Sequence, residues 1–399
     1  MKRHRTKAGF TLIELMVALV AGVIAITTIY FVGAASSRHF HEQQRIAQTQ
    51  MSVRMAMEQL RRDVQRAGFL GTPNSMRESR CGTPPPREVQ AVEFANDDQT
   101  NVLPNAAQNG VTADTLRLTG NYATGDSYFV SSLTAAGSGV YLQQSWHGFR
   151  RDFGSPVNPD RFEAVFRPGR MLHLTTLQGK HFFVRITGND PGRGQVDFTP
   201  ALPLGGACTG GLADGAVVAP LSRIEYSVQN LADDPAGQSL APEDDPAAAA
   251  FRGEAGAQLV RREIDFGGNP LPGSQRIVLE NVAMVDYQFL ANTAGAGLAP
   301  DLEVWADEDA NGRLGDVNAN AAFRPEAVMS VRASLSARTA EQDPRFPWVA
   351  AAAGTPATGV APTRYKVVPG DDFQGAARVR TLRTEIFLPN VANRGLRGP

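Results

Sequence analysis

The most pronounced hydrophobic pattern in the chain is at its N-terminus. An apolar run extends over residues 10–32 and is interrupted by one charge, Glu14. At about 1.5 Å per residue, a helix of this length crosses a bilayer core about 30 Å thick. The residues before the run, MKRHRTKAG, include four basic side chains and no acid. Such a charge distribution predicts that the leader stays in the cytoplasm and that everything after the run is exported.

An amphipathic pattern follows the apolar run. Ile46, Val53 and Leu60 recur every seven residues, with Met57 and Val64 at the intermediate spacing, which is typical of a helix with one buried face. The opposite face is predicted to be polar and to carry Gln43, Gln44, Arg45, Glu58, Arg61, Arg62 and Asp63. The sequence therefore predicts one helix over residues 10–68, whose second half packs on the chain's own head. A coiled-coil dimer is the alternative interpretation of this stripe.

Beyond residue 68, alternating strand patterns and turn signals predict a β-rich head. No further helix is predicted, and the chain is expected to form an α+β fold with a long N-terminal helix, 10–68, and one head domain, 69–399. Long loops are expected near 231–256 and 339–362, where Ala, Gly and Pro are frequent. The predicted strands are 115–119, 162–166, 181–187, 195–199, 223–228, 276–290, 328–337 and 377–388.

Composition favours a globular rather than a disordered protein. The 399 residues are 42% hydrophobic and 20% charged, and the formal net charge is -1, so the charge balance does not indicate a nucleic-acid partner. The sequence contains no nucleophile elbow, phosphate-binding loop, dinucleotide fingerprint or zinc-protease motif. We therefore expect neither an enzyme nor a nucleic-acid-binding protein.

The two cysteines, Cys81 and Cys208, are candidates for one disulfide. They are too few for a disulfide scaffold and lack the spacing of a zinc site. In an exported head they would close a loop of more than 120 residues. The alternative is two unpaired thiols.

An acidic segment is a candidate calcium site. Asp307, Asp309, Asn311 and Asp316 supply oxygen ligands, and the first three alternate along the chain, as in the first half of a calcium loop. However, the twelfth position is Asn318, where such loops have glutamate, and no flanking helices are predicted. A solvated acidic turn without metal is therefore the alternative.

Three arginines of the helix and two histidines of the head are not predicted to form a functional site. Arg61, Arg62 and Arg66 are expected on a solvated helix face. His173 and His181 are expected on neighbouring strands rather than in a metal site, because the histidines show no metal-ligand spacing.

Glu14 is the unusual residue of the membrane segment. A carboxylate at the centre of a membrane helix costs about 2.5–3.5 kcal/mol on insertion scales, so such residues are usually functional. Neither a secretory signal peptide, with a cleavage site near residues 33–35, nor a plain signal anchor explains it.

Residues 9–18, GFTLIELMVA, closely resemble the signal of type IV prepilins and pseudopilins. The resemblance implies that prepilin peptidase cuts between Gly9 and Phe10 and methylates the new amine of Phe10. Glu14 would then be the fifth residue of the mature chain and would dock against the N-terminal amine of a neighbouring subunit. The cut would remove four basic side chains and change the formal charge from -1 to -1 - 4 = -5.

Within this superfamily the chain resembles the PilW family of minor pilins. Residues 60–69, LRRDVQRAGF, are similar to the end of that family's first helix, and looser similarities occur at 279–282, 285–289, 331–335 and 383–390. Cys81 comes somewhat later than the corresponding cysteine of the family. The large head also suits a subunit at a fibre end better than a repeating subunit.

The resemblance implies a minor pilin that takes part in pilus initiation or a tip complex. We expect a single-pass inner-membrane protein with a periplasmic head that can enter the fibre or its tip. Expected partners are prepilin peptidase, other minor pilins, the major pilin, the assembly platform and a tip adhesin, with no cofactor other than the candidate calcium ion. The main alternative is a J-like minor pseudopilin of a type II secretion system, and a membrane-anchored periplasmic binding module or enzyme lies outside this class.

Overall fold

The computed structural model describes residues 11–78, 89–95, 99–202, 215–230, 256–292, 302–305, 325–349, 362–367 and 375–395. The chain forms two units, Met1–Met51 and Ser52–Pro399. Helix α1, Leu12–Arg66, begins in the first unit and ends in the second. The predicted long helix is therefore confirmed, with ends that lie two residues inside the predicted ones.

In the first unit, the apolar part of α1 is fully exposed. All side chains over residues 11–33 are accessible, and the segment is long and apolar enough to cross a membrane. Two hydroxyl groups within it are bonded to the helix itself, because Thr27 and Thr28 donate to the carbonyl oxygens of Val23 and Ile24. Internal bonding of polar groups is what a lipid environment requires.

In the second unit, the predicted apolar face of α1 is buried. Val53, Met57, Leu60 and Val64 are at most 4% exposed, as expected for a helix that packs on its own head. The prediction for Asp63 was wrong, because this residue is also buried rather than on the polar face.

The strands and short helices of the head are as follows. The strands in the described residues are β1 (Val92–Ala95), β2 (Thr115–Gly120), β3 (Tyr128–Leu133), β4 (Gly139–Leu142), β5 (Met171–Thr175), β6 (His181–Asp190), β7 (Gln195–Thr199), β8 (Val217–Gln229), β9 (Gln258–Ile264), β10 (Arg276–Leu279), β11 (Val282–Asn292), β12 (Leu302–Trp305), β13 (Val328–Arg338), β14 (Asp343–Pro347), β15 (Arg364–Tyr365) and β16 (Gly375–Phe387). The short helices are α2 (Ala106–Asn109), α3 (His147–Phe153), α4 (Pro159–Val165) and α5 (Pro389–Gly395).

Six of these strands close into a barrel. Antiparallel pairs join β3 to β4, β4 to β7, β7 to β6 and β6 to β5, and the first part of β8 pairs with both β5 and β3. Closure leaves these strands without a free edge. The barrel is inserted between β2 and the second part of β8.

Aromatic side chains form part of the barrel core. Tyr128 contacts the rings of Phe149, Phe153 and Phe166 at centroid distances of 5.2–6.3 Å. Phe149 and Phe153 belong to α3, and Phe166 directly follows α4. Aromatic pairs at such distances stabilise beyond the burial of their area.

The predicted strand at 162–166 was wrong, since this segment lies in and next to α4. The side chain of Asn158 accepts a hydrogen bond from Arg161 N, and Pro159 occupies the first turn. Asparagine at the N-cap and proline in the first turn favour a helix start. Phe162 and Phe166, four residues apart, then share one buried face.

The rest of the head consists of two antiparallel sheets with the end of α1. The second part of β8 pairs with β2 and β9, and β1 and β10 extend this sheet. The other sheet has the order β12-β11-β13-β16-β14, with β15 also paired to β16. Both sheets share one hydrophobic core with α1, which includes Leu60, Val64, Leu116, Tyr226, Tyr287, Val331 and Ile386. The α+β class is confirmed.

The other predicted strands agree with the structure to different extents. Strands at 115–119, 181–187, 195–199, 223–228, 328–337 and 377–388 correspond to β2, β6, β7, β8, β13 and β16. The segment 276–290 is two strands, β10 and β11, because the chain turns at Asn281, which has a φ of 52°.

The prediction that no helix follows residue 68 was wrong, because the head contains four short helices in the described residues. The expected loop 339–362 contains β14, and most of the expected loop 231–256 lies outside the described residues.

Candidate functional site

The first turn of α1 forms a reciprocal cap around Glu14. The backbone N–H and the hydroxyl of Thr11 both donate to Glu14 Oε2 at 2.9 Å, and Glu14 N donates to Thr11 Oγ1 at 3.3 Å. This arrangement is a capping box, which satisfies backbone donors that the first turn leaves free. A carboxylate there also interacts favourably with the positive end of the helix dipole.

The carboxylate of Glu14 is exposed although it is capped. It is the only acidic side chain on α1 between residues 11 and 33, in a segment whose other exposed side chains are mainly apolar. Within the described residues, its carboxylate accepts hydrogen bonds from Thr11 through Oε2, so its outer face can pair with a cation or a donor of another chain.

At the other end of α1, Asp63 forms a buried ion pair with the head. Its Oδ2 accepts from Arg261 Nε of β9 at 2.5 Å and from the hydroxyl of Tyr226 of β8 at 2.7 Å. The Asp63 and Arg261 side chains are only 8% and 19% exposed. Burial opposes the charge of Arg261, but the carboxylate of Asp63 outweighs it and raises the pKa of the guanidinium.

The two tyrosines around this pair are held protonated. Burial, and secondly the charge of Asp63, raises the pKa of Tyr226 and of Tyr122 well above the ordinary value. Tyr122 donates its hydroxyl to the carbonyl oxygen of Asp63 at 2.8 Å. Both hydroxyl groups therefore act as donors at the helix end.

Arg66 adds a second attachment in the last turn of α1. Its guanidinium donates to the carbonyl oxygens of Asn121 and Thr124 at 2.8 and 2.7 Å and lies over the rings of Phe69 and Tyr122. The prediction of a solvated Arg66 was thus wrong, whereas Arg61 and Arg62 are exposed as predicted. We call Asp63, Arg66, Tyr122, Tyr226 and Arg261 the helix clamp.

The backbone at the end of α1 makes two close contacts with β2. Gly68 has a φ of +75°, which favours glycine, and its N–H donates to the carbonyl oxygen of Thr119 at 2.8 Å. A Cβ at Gly120 would lie 2.6 Å from the carbonyl oxygen of Arg66. Glycine at 120 thus allows β2 to approach the helix end.

The heptad pattern contained a signal for the clamp that our prediction did not use. Asp63 follows Ala56 by seven residues and Leu60 by three, so it occupies a position of the buried stripe. A charged residue at such a position indicates a buried partner. That partner, Arg261, is 198 residues away, and no local pattern identifies it.

Most other predicted site residues lie outside the described residues. These are Gly9, Phe10, Cys81, Cys208, Asp307, Asp309, Asn311 and Asp316. In the part of the chain that the structure describes, no group of three or more His, Cys, Asp or Glu residues could hold a metal ion. The predicted placement of His173 and His181 on neighbouring strands is confirmed, since they lie on β5 and β6.

Comparison with known proteins identifies the N-terminal segment. Residues 4–30 match the model of the prokaryotic N-terminal methylation motif. This match includes Gly9, Phe10 and the capping box of Thr11 and Glu14. No curated protein and no solved structure matches the chain. The motif, the exposed apolar helix and the β-rich head together indicate a membrane-anchored, type IV pilin-like protein, a pilin or pseudopilin substrate of prepilin peptidase.

Proposed function

We propose that this protein is a minor pilin of a type IV pilus system and acts in pilus initiation or in a tip complex. The observation that carries the proposal is the combination of the methylation motif at residues 4–30 with a very large head. A head repeated along a slender fibre has to be small. The inserted barrel of six strands and two helices adds bulk that suits a subunit used once, at a fibre end.

Processing would occur between Gly9 and Phe10, with methylation of the Phe10 amine. The cut would remove the basic leader and leave Thr11 and Glu14 as the second and fifth residues of the mature chain. The capping box would then hold the Glu14 carboxylate close to the new N-terminus of its own chain.

Glu14 would serve as the docking residue between subunits. In a dry core of packed helices, a carboxylate requires a cationic partner. The N-terminal amine of a neighbouring subunit supplies one, and the pair sets the axial register of the two helices. The exposure of Glu14 in the isolated chain supports this assignment.

The head would contact other minor pilins, the major pilin, the assembly platform and a tip adhesin in the periplasm. We propose no enzymatic activity and no nucleic-acid partner.

Two separate proposals concern the head. One is a Cys81–Cys208 disulfide, and the other is a calcium ion bound by Asp307, Asp309, Asn311 and Asp316. A mass measurement without reducing agent tests the disulfide, and calorimetric titration with calcium tests the metal site.

Deletion of the gene tests the function directly. Sheared surface pili and secreted exoproteins are quantified in parallel, with the wild-type gene returned on a plasmid as the control. Loss of pili with normal secretion is the expected result. Loss of secretion with normal pili would instead identify a J-like minor pseudopilin, and normal levels of both would contradict an assembly role.

A further inference from the structure

Two histidines of the barrel connect it to the segment that follows α1. Nε2 of His173 on β5 lies 2.9 Å from Nδ1 of His181 on β6, and their rings are stacked at 5.2 Å. Nδ1 of His173 lies 3.0 Å from the carbonyl oxygen of Leu70. Nε2 of His181 lies 3.4 Å from Oε2 of Glu78. We call Glu78, His173 and His181 the Glu–His–His triad.

The three contacts can all be hydrogen bonds only if the two imidazoles together carry three hydrogens. A carbonyl oxygen only accepts, so Nδ1 of His173 carries a hydrogen. One more hydrogen lies between the two rings, and a third is needed between His181 Nε2 and the Glu78 carboxylate. Two neutral imidazoles supply only two hydrogens. With all three contacts made to an ionised Glu78, the pair therefore carries one additional proton and one positive charge.

The surroundings of the triad are consistent with this charge. The hydroxyl of Thr72 donates to the other oxygen of Glu78 at 2.6 Å, which orients the carboxylate. Thr175 Oγ1 lies 3.4 Å from Nε2 of His173, where it can donate. The ring of Phe183 stacks on His173 at 4.7 Å and fixes the orientation of the imidazole.

Other charged groups lie on the same barrel strands. Lys180 immediately precedes His181, and Arg185 is on the same face of β6 beyond Phe183. Arg185 interacts with Asp265, which follows β9. Both cations disfavour a positive charge on the histidine pair, whereas Glu78 favours it.

We propose that the Glu–His–His triad is a one-proton latch. It holds residues 70–78 on the barrel when the histidine pair carries the extra proton and releases them when that proton is lost. Without the extra proton, either the Leu70 or the Glu78 contact lacks a hydrogen, and two acceptors face each other. Imidazoles titrate near pH 6.5 in water. A neighbouring carboxylate favours the protonated form, so the latch is closed at low pH and opens as the pH rises.

Hydrogen–deuterium exchange of the full-length protein in detergent tests the latch. The reporter peptide covers residues 70–78, in which Ser75 N donates to the carbonyl oxygen of Val89 at 2.8 Å. After correction for intrinsic exchange rates, protection of this peptide should be several-fold greater at pH 5.5 than at pH 8.0.

Variants separate the latch from general effects of pH. Glu78→Gln and His181→Gln should each remove the difference between the two pH values, whereas His147→Gln, at an exposed histidine of α3, should retain it. Protection of peptides from β7, measured in the same experiment, verifies that each variant has a folded barrel. If Glu78→Gln does not fold, His181→Gln provides the same test.

Two results would overturn the proposal. One is equal protection of the wild-type peptide at both pH values, and the other is an unchanged difference in a folded His181→Gln variant. The latch does not depend on the proposed pilin function.

Discussion

Substituting Asp63 by asparagine should destabilise the head strongly. The change removes the negative charge that Arg261 Nε meets at 2.5 Å and retains the side-chain volume. Removal of one partner of a buried ion pair costs about 3–5 kcal/mol. Because the Arg261 side chain is still 19% exposed, water compensates part of this loss, and we expect about 2–4 kcal/mol.

The measurement is equilibrium unfolding of the full-length protein in detergent by urea. Intrinsic tryptophan fluorescence reports on the head, because all three tryptophans are in it. The free energy of unfolding is obtained by linear extrapolation to water. A change in the midpoint with an unchanged slope indicates a change in stability rather than in the unfolded state.

An exposed ion pair on the same helix provides the matched control. Arg61 and Glu58 are 3.9 Å apart and more than half exposed. Substituting Glu58 by glutamine should change the free energy of unfolding by less than about 1 kcal/mol. If Asp63→Asn is no more destabilising than Glu58→Gln, the clamp does not contribute to stability and the argument is wrong.

A double variant tests whether the cost comes from the unpaired charge. Asp63→Leu combined with Arg261→Met removes both charges and fills the space with apolar side chains. Such replacements of buried pairs are often neutral or stabilising. The double variant should therefore be more stable than either single change, and additive losses would contradict the pairing.

Three further predictions concern the ends of the helix. Glu14→Ala should leave the cleaved mass and the urea midpoint unchanged but reduce incorporation into sheared fibres, and normal incorporation would refute the docking role. Gly9→Val should leave the leader attached, which intact-mass analysis detects as the uncut chain; a trimmed mass would show that the cleavage site is elsewhere. Gly120→Ala should lower the free energy of unfolding by about 1–3 kcal/mol, because its Cβ would clash with the carbonyl oxygen of Arg66, whereas Gly125→Ala, with no atom within 4 Å of its Cβ, should have little effect.

The elements that the sequence predicted best are those with strong local signals. Helix α1 follows from an apolar run and a regular stripe, and Gly68 marks its end within two residues. Strand β7 coincides with the predicted segment 195–199 because its apolar and polar residues alternate between two turns. In these segments, the local pattern and the tertiary environment favour the same structure.

The barrel could not be predicted because its closure is not local. Strand β8 pairs through Val217 and Val218 with β3, about ninety residues earlier in the chain, and through residues 217–221 with β5. The rest of β8 belongs to a different sheet. A single pattern at 223–228 indicates a strand but carries no information on this division. The segment 162–166, with Phe162 in α4 and Phe166 directly after it, is as typical of a strand as of a helix until the N-cap Asn158 is considered.

The two acidic residues near the ends of α1 have opposite roles, and their partners explain why. Glu14 is exposed and bonded to Thr11, three residues away, so its interactions form without the head and leave it accessible to another chain. Asp63 is buried and bonded to residues more than 160 positions away, so it is available only to its own head. A change at Glu14 should therefore impair contacts between chains without lowering stability. A change at Asp63 should lower stability first, and any loss of assembly should follow from it.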